Sequence, residues 1–503
     1  MSKSIRTRFA ASLFANFLRS MVSFLTGFLL ARWLGPEEYG RMVFLLASFA
    51  AFRQLLDMGT SRAFFTFLSR KPRGKRFVRT FWGWVACQLT VTLALVCLLL
   101  PDTVVRLVWV GETRTMAVLA LIASFTQGIV WASAAQMAEA SRETVRLQFL
   151  NTTVVLVHLC VLVALWYWEL LAIPLIFAAL IIEWCVAAWV ASRMYRTLEE
   201  PAAEENLRHI LREFLAYCGP MIPFVWLGFA HDFADRWMLQ HWGGAVEQAY
   251  FGVAQQFSAV ALLATSSIMG VLWKEAAEAA YRNDNPRLQY LYSKVARILY
   301  FVAAATACGV MPWSRDLLRL TVGDAYVGGA MTLMLMLLYP LHQALGQIGG
   351  TLLYATANIR LYVRLNLLVM TVSLAIAYFM LAPPDAIIPG LGLRSEGLAW
   401  KMLLVQVVAV NLLLWFIART FTWKYEWGFQ VVVLAICASL GWGIHLLVKG
   451  LFTDNVSVPA QLLIAAVGYV VSLIVIVAIR PSLAGLSRAE LGQLLELRGK
   501  TAL

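Results

Sequence analysis

The run FAASLFANFLRSMVSFLTGFLLARWL, from Phe9 to Leu34, followed at once by Gly35-Pro36-Glu37-Glu38, decides the class of this chain. A helix needs about 20 apolar residues to cross about 30 Å of hydrocarbon, and this run supplies them. It is longer than the apolar stretch of a signal peptide and ends in a turn rather than a small-residue cleavage site, so it reads as a span that stays. Comparable windows recur along the chain and predict fourteen helices, at roughly 9–34, 40–67, 80–100, 115–138, 147–168, 172–193, 213–240, 248–271, 295–312, 328–354, 361–382, 397–418, 429–448 and 458–479. Composition agrees. Apolar residues make up 61% of the 503 and charged residues 14%, with a mean hydropathy of +0.73, too apolar for a soluble domain of this length. The longest polar stretches, 193–212 and 274–294, are too short to enclose a core. The expectation is an all-α, polytopic membrane protein.

Lysine and arginine concentrate in the segments on the same membrane side as the N-terminus, which, with an even number of spans, places both termini in the cytoplasm. That asymmetry accounts for most of the net charge of +13 and removes the need for a nucleic-acid partner. The run Arg70-Lys71-Pro72-Arg73-Gly74-Lys75-Arg76 reads as a stop-transfer signal, with membrane-lipid headgroups as a second reading. The seven cysteines show no C-x-x-C pair or zinc spacing, so neither a disulfide framework nor a metal is expected. The sequons at Asn151 and Asn455 carry little weight. Gly35-Pro36-Glu37-Glu38 reads as a helix start, with proline and acids in the first turn.

Two motifs recur. Arg32-Trp33-Leu34 before Tyr39-Gly40 is echoed by Arg236-Trp237-Met238 before Tyr250-Phe251-Gly252, and Val105-Arg106-Leu107 with Gly111-Glu112 by Leu318-Arg319-Leu320 with Gly323-Asp324. A repeat of helices 1–6 in helices 7–12 predicts two parallel six-helix lobes around a central cavity, 1–212 and 213–424, with helices 13 and 14 and a cytoplasmic tail in 425–503.

Charge within hydrocarbon is costly and marks function. Helix 1 presents Asn16, Arg19, Ser20, Ser23, Thr26 and Gly27 on one face. Helix 2 carries Arg53, Gln54, Asp57, Ser61 and Arg62; helix 7 carries His231, Asp232, Asp235 and Arg236; helix 8 adds Gln255; helix 10 adds His342, Gln343 and Gln347. The candidate substrate-binding residues are therefore Arg19, Arg53, Asp57, Arg62, Asp232, Asp235, Arg236, Gln255, His342, Gln343 and Gln347. Arginines there would hold a diphosphate through forked hydrogen bonds, and the amides would face sugar hydroxyls. The opposing reading pairs Arg53 with Asp57, and Arg236 with Asp232 or Asp235, as structural ion pairs. Glu183, isolated in mid-span, and Asp57 are coupling-ion candidates. His158 reads as a satisfied interface histidine and Lys401 as a snorkelling lysine; Arg19 and Arg62 lie within reach of the inner interface, where snorkelling competes with lining the cavity. No G-x-S-x-G, H-E-x-x-H or phosphate-binding G-x-x-x-x-G-K-[ST] motif occurs, so an enzyme is not expected and no cofactor is implied.

The run Leu30-Ala31-Arg32-Trp33-Leu34-Gly35-Pro36-Glu37-Glu38-Tyr39-Gly40 resembles the start of the polysaccharide-unit (Wzx-like, O-antigen type) flippases of the multidrug/oligosaccharidyl-lipid/polysaccharide (MOP) exporter superfamily. The likeness continues at Gly219-Pro220-Met221-Ile222-Pro223, Asp235-Arg236-Trp237-Met238-Leu239, Tyr250-Phe251-Gly252-Val253-Ala254 and Gly323-Asp324-Ala325-Tyr326. It implies a MATE-like fold and alternating access. The implied substrate is an undecaprenyl-diphosphate-linked oligosaccharide repeat unit, moved to the outer leaflet of a bacterial inner membrane for O-antigen, capsule or exopolysaccharide synthesis. A polysaccharide polymerase and a chain-length regulator are the further candidate partners. Arg53, Arg62 and Arg236 would supply the family's cationic cavity; Asp57, Asp232 and Asp235 depart from it. A lipid II flippase and a MATE-type drug antiporter stay open, the latter disfavoured by Arg19, Arg53 and Arg62. A glycan polymerase or ligase is disfavoured by the short outer loops.

Overall fold

The computed structural model describes residues 5–71, 73–195, 206–282, 284–356, 358–452 and 456–490. The Asn455 sequon, Pro72 of the basic run, residues 196–205 and the tail after 490 fall outside them. Every element among the described residues is helical. The chain divides into two compact units, Met1–Ala249 and Tyr250–Leu503.

The first unit opens with α1 (Ile5–Asp57), unbroken by any loop but carrying a non-helical residue at Gly35 (φ 73°, ψ 170°). Gly35 precedes a proline, which bars it from helical angles, and only glycine adopts this pair of torsions cheaply. The membrane-length part, Ala15–Asp57, would extend roughly 65 Å if straight, twice a bilayer core. Gly35 thus divides two spans, and the expected turn shrinks to a single residue. Arg41 just beyond it reaches the carboxylate of Glu112 twice, at 2.7 and 2.9 Å, and Glu38 at 2.7 Å.

After α1 come α2 (Thr60–Arg70), α3 (Lys75–Ala94), α4 (Asp102–Val108), α5 (Arg114–Phe125), α6 (Ala132–Ala140), α7 (Thr144–Tyr167), α8 (Ile173–Arg193), α9 (Leu207–Cys218) and α10 (Ile222–Met238). α1 packs on α5, α7 and α10, and α8 on α5, α6 and α7. Ala134 and Ala138 meet Ala187, Ala188 and Ala191, small side chains that let helices approach closely in a membrane. Phe64 stacks on Phe81 at 3.8 Å in a second cluster that takes in Phe67, Phe77 and Phe214.

α11 (Ala245–Tyr281) leads into the second unit, which holds α12 (Asn285–Val310), α13 (Ser314–Thr321), α14 (Ala330–Ala355), α15 (Ile359–Leu381), α16 (Arg394–Thr420), α17 (Trp427–Leu451) and α18 (Val458–Ile479). α14 packs on α12 and α16, α15 on α16, α17 on α12 and α18 on α17. Beyond α18, Ser487 and Glu490 bond each other reciprocally, and Glu490 also meets Lys294. Lys294 and the Ser487 N–H hold the Glu490 carboxyl at about 2.

Among the described residues, twelve helical stretches are long and apolar enough to cross a membrane. Ala15–Asp57 carries the first two predicted spans, and α11 covers the eighth without being one of the twelve. Three expectations need correction. Predicted helix 2 ends at Asp57, because Met58 (φ 46°) and Gly59 (φ 82°) reverse the backbone before α2. Arg73 leaves the solvated basic run: it is 4% exposed, lies over the rings of Phe67 and Phe77 and pairs with Glu213 of α9. Lys401 does not snorkel; it is 1% exposed, enclosed where α16 packs on its neighbours.

Candidate functional site

The polar residues of the first unit converge where the last turns of α1 meet α10. Aromatic rings build the wall. Phe52 contacts Phe229 at 5.0 Å and Phe233 at 5.3 Å, and Phe49 stacks on Trp109 at 5.2 Å. Beside the wall, Gln54 donates to Asp232 at 3.0 Å. Asp232 also meets His231 at 3.0 Å, and the far nitrogen of His231 lies 3.9 Å from Asp235. Arg236 donates to the side chain of Gln248 at 3.3 Å, while Gln248 returns a bond to the Arg236 carbonyl at 2.8 Å. Asp232 and Asp235 are thus engaged by His231 and Gln54, partners that spacing alone had not assigned to them.

Asp57 has a local task. It accepts the Ser61 N–H at 2.9 Å and the hydroxyls of Thr60 and Ser61, taking up a free donor at the start of α2, where the helix dipole favours an anion. Gln88 of α3 donates to the Leu56 carbonyl at the other side of the same break. Arg53 feels the charge of Asp57 but makes no hydrogen bond among the described residues. Its guanidinium fills the space beside Gly128: a methyl group at that glycine would stand 1.7 Å from Nη1. Gly128 belongs to a π-helical turn, Thr126–Trp131, between α5 and α6, a local widening frequent at functional sites.

The arginines therefore sort into two sets. Arg41, Arg73 and Arg114 spend their donors on Glu112, Glu213 and Asp102. Arg19, Arg53 and Arg62, the three predicted from helices 1 and 2, donate no hydrogen bond among the described residues. Cations within a span are normally paired, so the donors left over on the partly buried Arg19 and Arg53 are available to an anion from outside, and Arg62 stands exposed on α2.

The sequence profile of a family described as polysaccharide biosynthesis protein matches residues 7–273, more than half of the chain. The chain belongs to this family. Solved structures similar to this family member include "Lipid II flippase MurJ, inward closed conformation", with a TM-score of 0.66 at 13% identity over 92% of this chain and 98% of that one. A MOP superfamily transporter from Pyrococcus furiosus matches with a TM-score of 0.54 at 14% identity, over 83% and 96%. An outward-facing MATE family transporter matches with 0.52 at 13%, over 82% and 95%. At these identities the likeness establishes the fold, which is that of the MOP superfamily. A search of curated protein sequences finds no match. The resemblance drawn from the sequence is borne out by the family and by the fold: this is a multi-pass membrane protein.

The remaining candidates lie apart in the family member. Glu183 is not isolated: His158 of α7 meets it at 2.7 Å across the interface with α8. In the second unit, Gln255 is exposed on α11. His342 is buried against Tyr300, with ring centres 6.0 Å apart. Gln343 and Gln347 turn the other way, into a cavity of about 260 Å³ shared with Tyr362, Asn366 and Gln406. Sequence reasoning missed Gly128, Gln248, Glu213 and Gln406. The last carried a signal, an amide within an apolar run, but amides were weighed below charges.

Proposed function

We propose that this chain is a flippase for an undecaprenyl-diphosphate-linked oligosaccharide. It moves repeat units from the cytoplasmic to the outer leaflet of a bacterial inner membrane by alternating access, for O-antigen, capsule or exopolysaccharide synthesis. The observation that carries the reading is the pair Arg19 and Arg53, partly buried guanidinium donors inside the Ala15–Asp57 stretch that make no hydrogen bond among the described residues, with Arg62 exposed on α2 just beyond it, in a member of a polysaccharide biosynthesis family. A diphosphate accepts forked hydrogen bonds of this kind and offsets the cost of holding cations within a span. The fold is shared with a protein described as a lipid II flippase, whose cargo is also a lipid. In this reading the segments 1–212 and 213–424 act as the alternating lobes, both termini are cytoplasmic, and the product passes to a polymerase and chain-length regulator. Asp57 and the His158–Glu183 pair are the coupling-ion candidates.

The test is export of labelled lipid-linked oligosaccharide in a strain lacking the protein, complemented with wild type or with Arg53→Ala at matched expression. Accumulation at the cytoplasmic face, not relieved by the folded variant, supports the reading; normal arrival of an unpolymerised unit at the outer face rejects it. Accumulation of lipid II instead selects the second reading, a lipid II flippase, which the MurJ-like fold keeps in view.

A further inference from the structure

α14 and α15 both pack along α16, and the 260 Å³ cavity lies among the three, wholly inside the second unit. Its polar lining is four amides and a phenol: Gln343 and Gln347 from α14, Tyr362 and Asn366 from α15, and Gln406 from α16. No charged residue is among the described residues that line it. Gln406 donates to Gln343 at 3.0 Å, which fixes both planes and leaves the remaining donor of Gln406 and both donors of Gln343 uncommitted. Asn366 donates to the Tyr362 carbonyl at 2.8 Å, which orients its amide oxygen away from its own helix. Gln347 is exposed in the cavity and makes no hydrogen bond among the described residues. Amides on three different membrane helices that meet in one cavity are costly against hydrocarbon and call for a polar occupant.

The chemistry of that occupant follows. A guanidinium-free cavity does not favour a phosphate or a uronate, and a carboxylate-free one does not favour an organic cation. Amide groups that both donate and accept match hydroxyl and acetamido groups, and the Tyr362 ring offers a face for a pyranose. We propose that this cavity binds a neutral saccharide, the glycan portion of the carried lipid, and so excludes acidic repeat units. The proposal rests on the flippase reading and names its substrate class.

Binding is measured on the full chain in lipid nanodiscs. The probes are neutral hexose and N-acetylhexosamine oligosaccharides of two to five units, the matching oligouronides, and the best neutral member attached to a short prenyl diphosphate. A neutral member binds, its uronide counterpart binds at least tenfold more weakly, and the prenyl-diphosphate form binds at least as well as the free sugar. Gln347→Leu and Gln406→Leu each weaken the neutral ligand about tenfold, the cost of one lost hydrogen bond to a buried group, without changing the thermal midpoint. Gln347→Leu, at an exposed side chain, covers the case in which Gln406→Leu misfolds. The proposal is overturned if no neutral member binds, if an acidic one binds best, if prenyl diphosphate without sugar competes equally, or if only the free sugar binds. Normal export in the deletion strain with sugar binding intact would instead reject the flippase reading and leave the cavity assignment standing.

Discussion

Arg53 owes its position to an absent side chain. Since a methyl at Gly128 would overlap its guanidinium, Gly128→Ala should displace Arg53 and lower export at least tenfold, the loss expected of Arg53→Ala. The double variant should be no worse than either single one, because both remove the same interaction; export rates of the three at matched expression test this. Asp57 separates two roles by substitution. Asp57→Ala should destabilise the protein by about 0.5–2 kcal/mol through loss of the bonds to the start of α2, whereas Asp57→Asn retains an acceptor there and should unfold near the wild-type temperature. Export by Asp57→Asn then decides whether the charge is needed for transport: unchanged export leaves Asp57 a structural residue. Much of this site was legible in the sequence as residue types, because ionisable groups in apolar windows are conspicuous. Their partners were not: His158 with Glu183, and Gln54 with Asp232, are pairings that only the packing of α7 on α8 and of α1 on α10 could settle.

Helices were the most legible level, since a window of about 20 apolar residues is a strong signal, and α7, α8, α14, α15 and α18 begin and end within a few residues of their predicted limits. What failed were the joints. The break at Met58–Gly59 lies inside an apolar run and depends on Asp57 and Gln88 for its hydrogen bonds. Arg73 looked like one more cation of a solvated run, yet it closes α9 onto α2 and α3 through Glu213 and two phenylalanine rings. Removing Glu213 alone takes the carboxylate from the buried Arg73 guanidinium and should cost about 3 kcal/mol, while Arg73→Met with Glu213→Leu should cost much less. Thermal unfolding of the two variants in the same detergent measures the difference. At Gly35 no other residue reaches φ 73° and ψ 170° without strain, and Gly35→Ala should cost about 1–3 kcal/mol from the backbone alone, since nothing lies within 4 Å of the added methyl.

For the molecule as a whole, charge placement and fold bear on direction. The excess of basic residues in one set of connectors predicts that reporters fused at either terminus report a cytoplasmic location: a fluorescent protein should be bright and an alkaline phosphatase inactive at both ends. The opposite pattern would invert the proposed direction of transport. The two-unit division at Ala249–Tyr250 falls within α11, so the connection between the units is itself helical rather than a loop.

The single-residue joint at Gly35 also bears on how the chain is made. With the N-terminus cytoplasmic, as proposed, two spans that share one residue would leave no extracytoplasmic tether to be threaded through ahead of the second. That topology predicts that the two enter the bilayer together, the joint at Gly35 carrying Arg32 and Arg41 across in one step. Glu38, three residues from Arg41, crosses in the same step and can neutralise it before Glu112 has been synthesised.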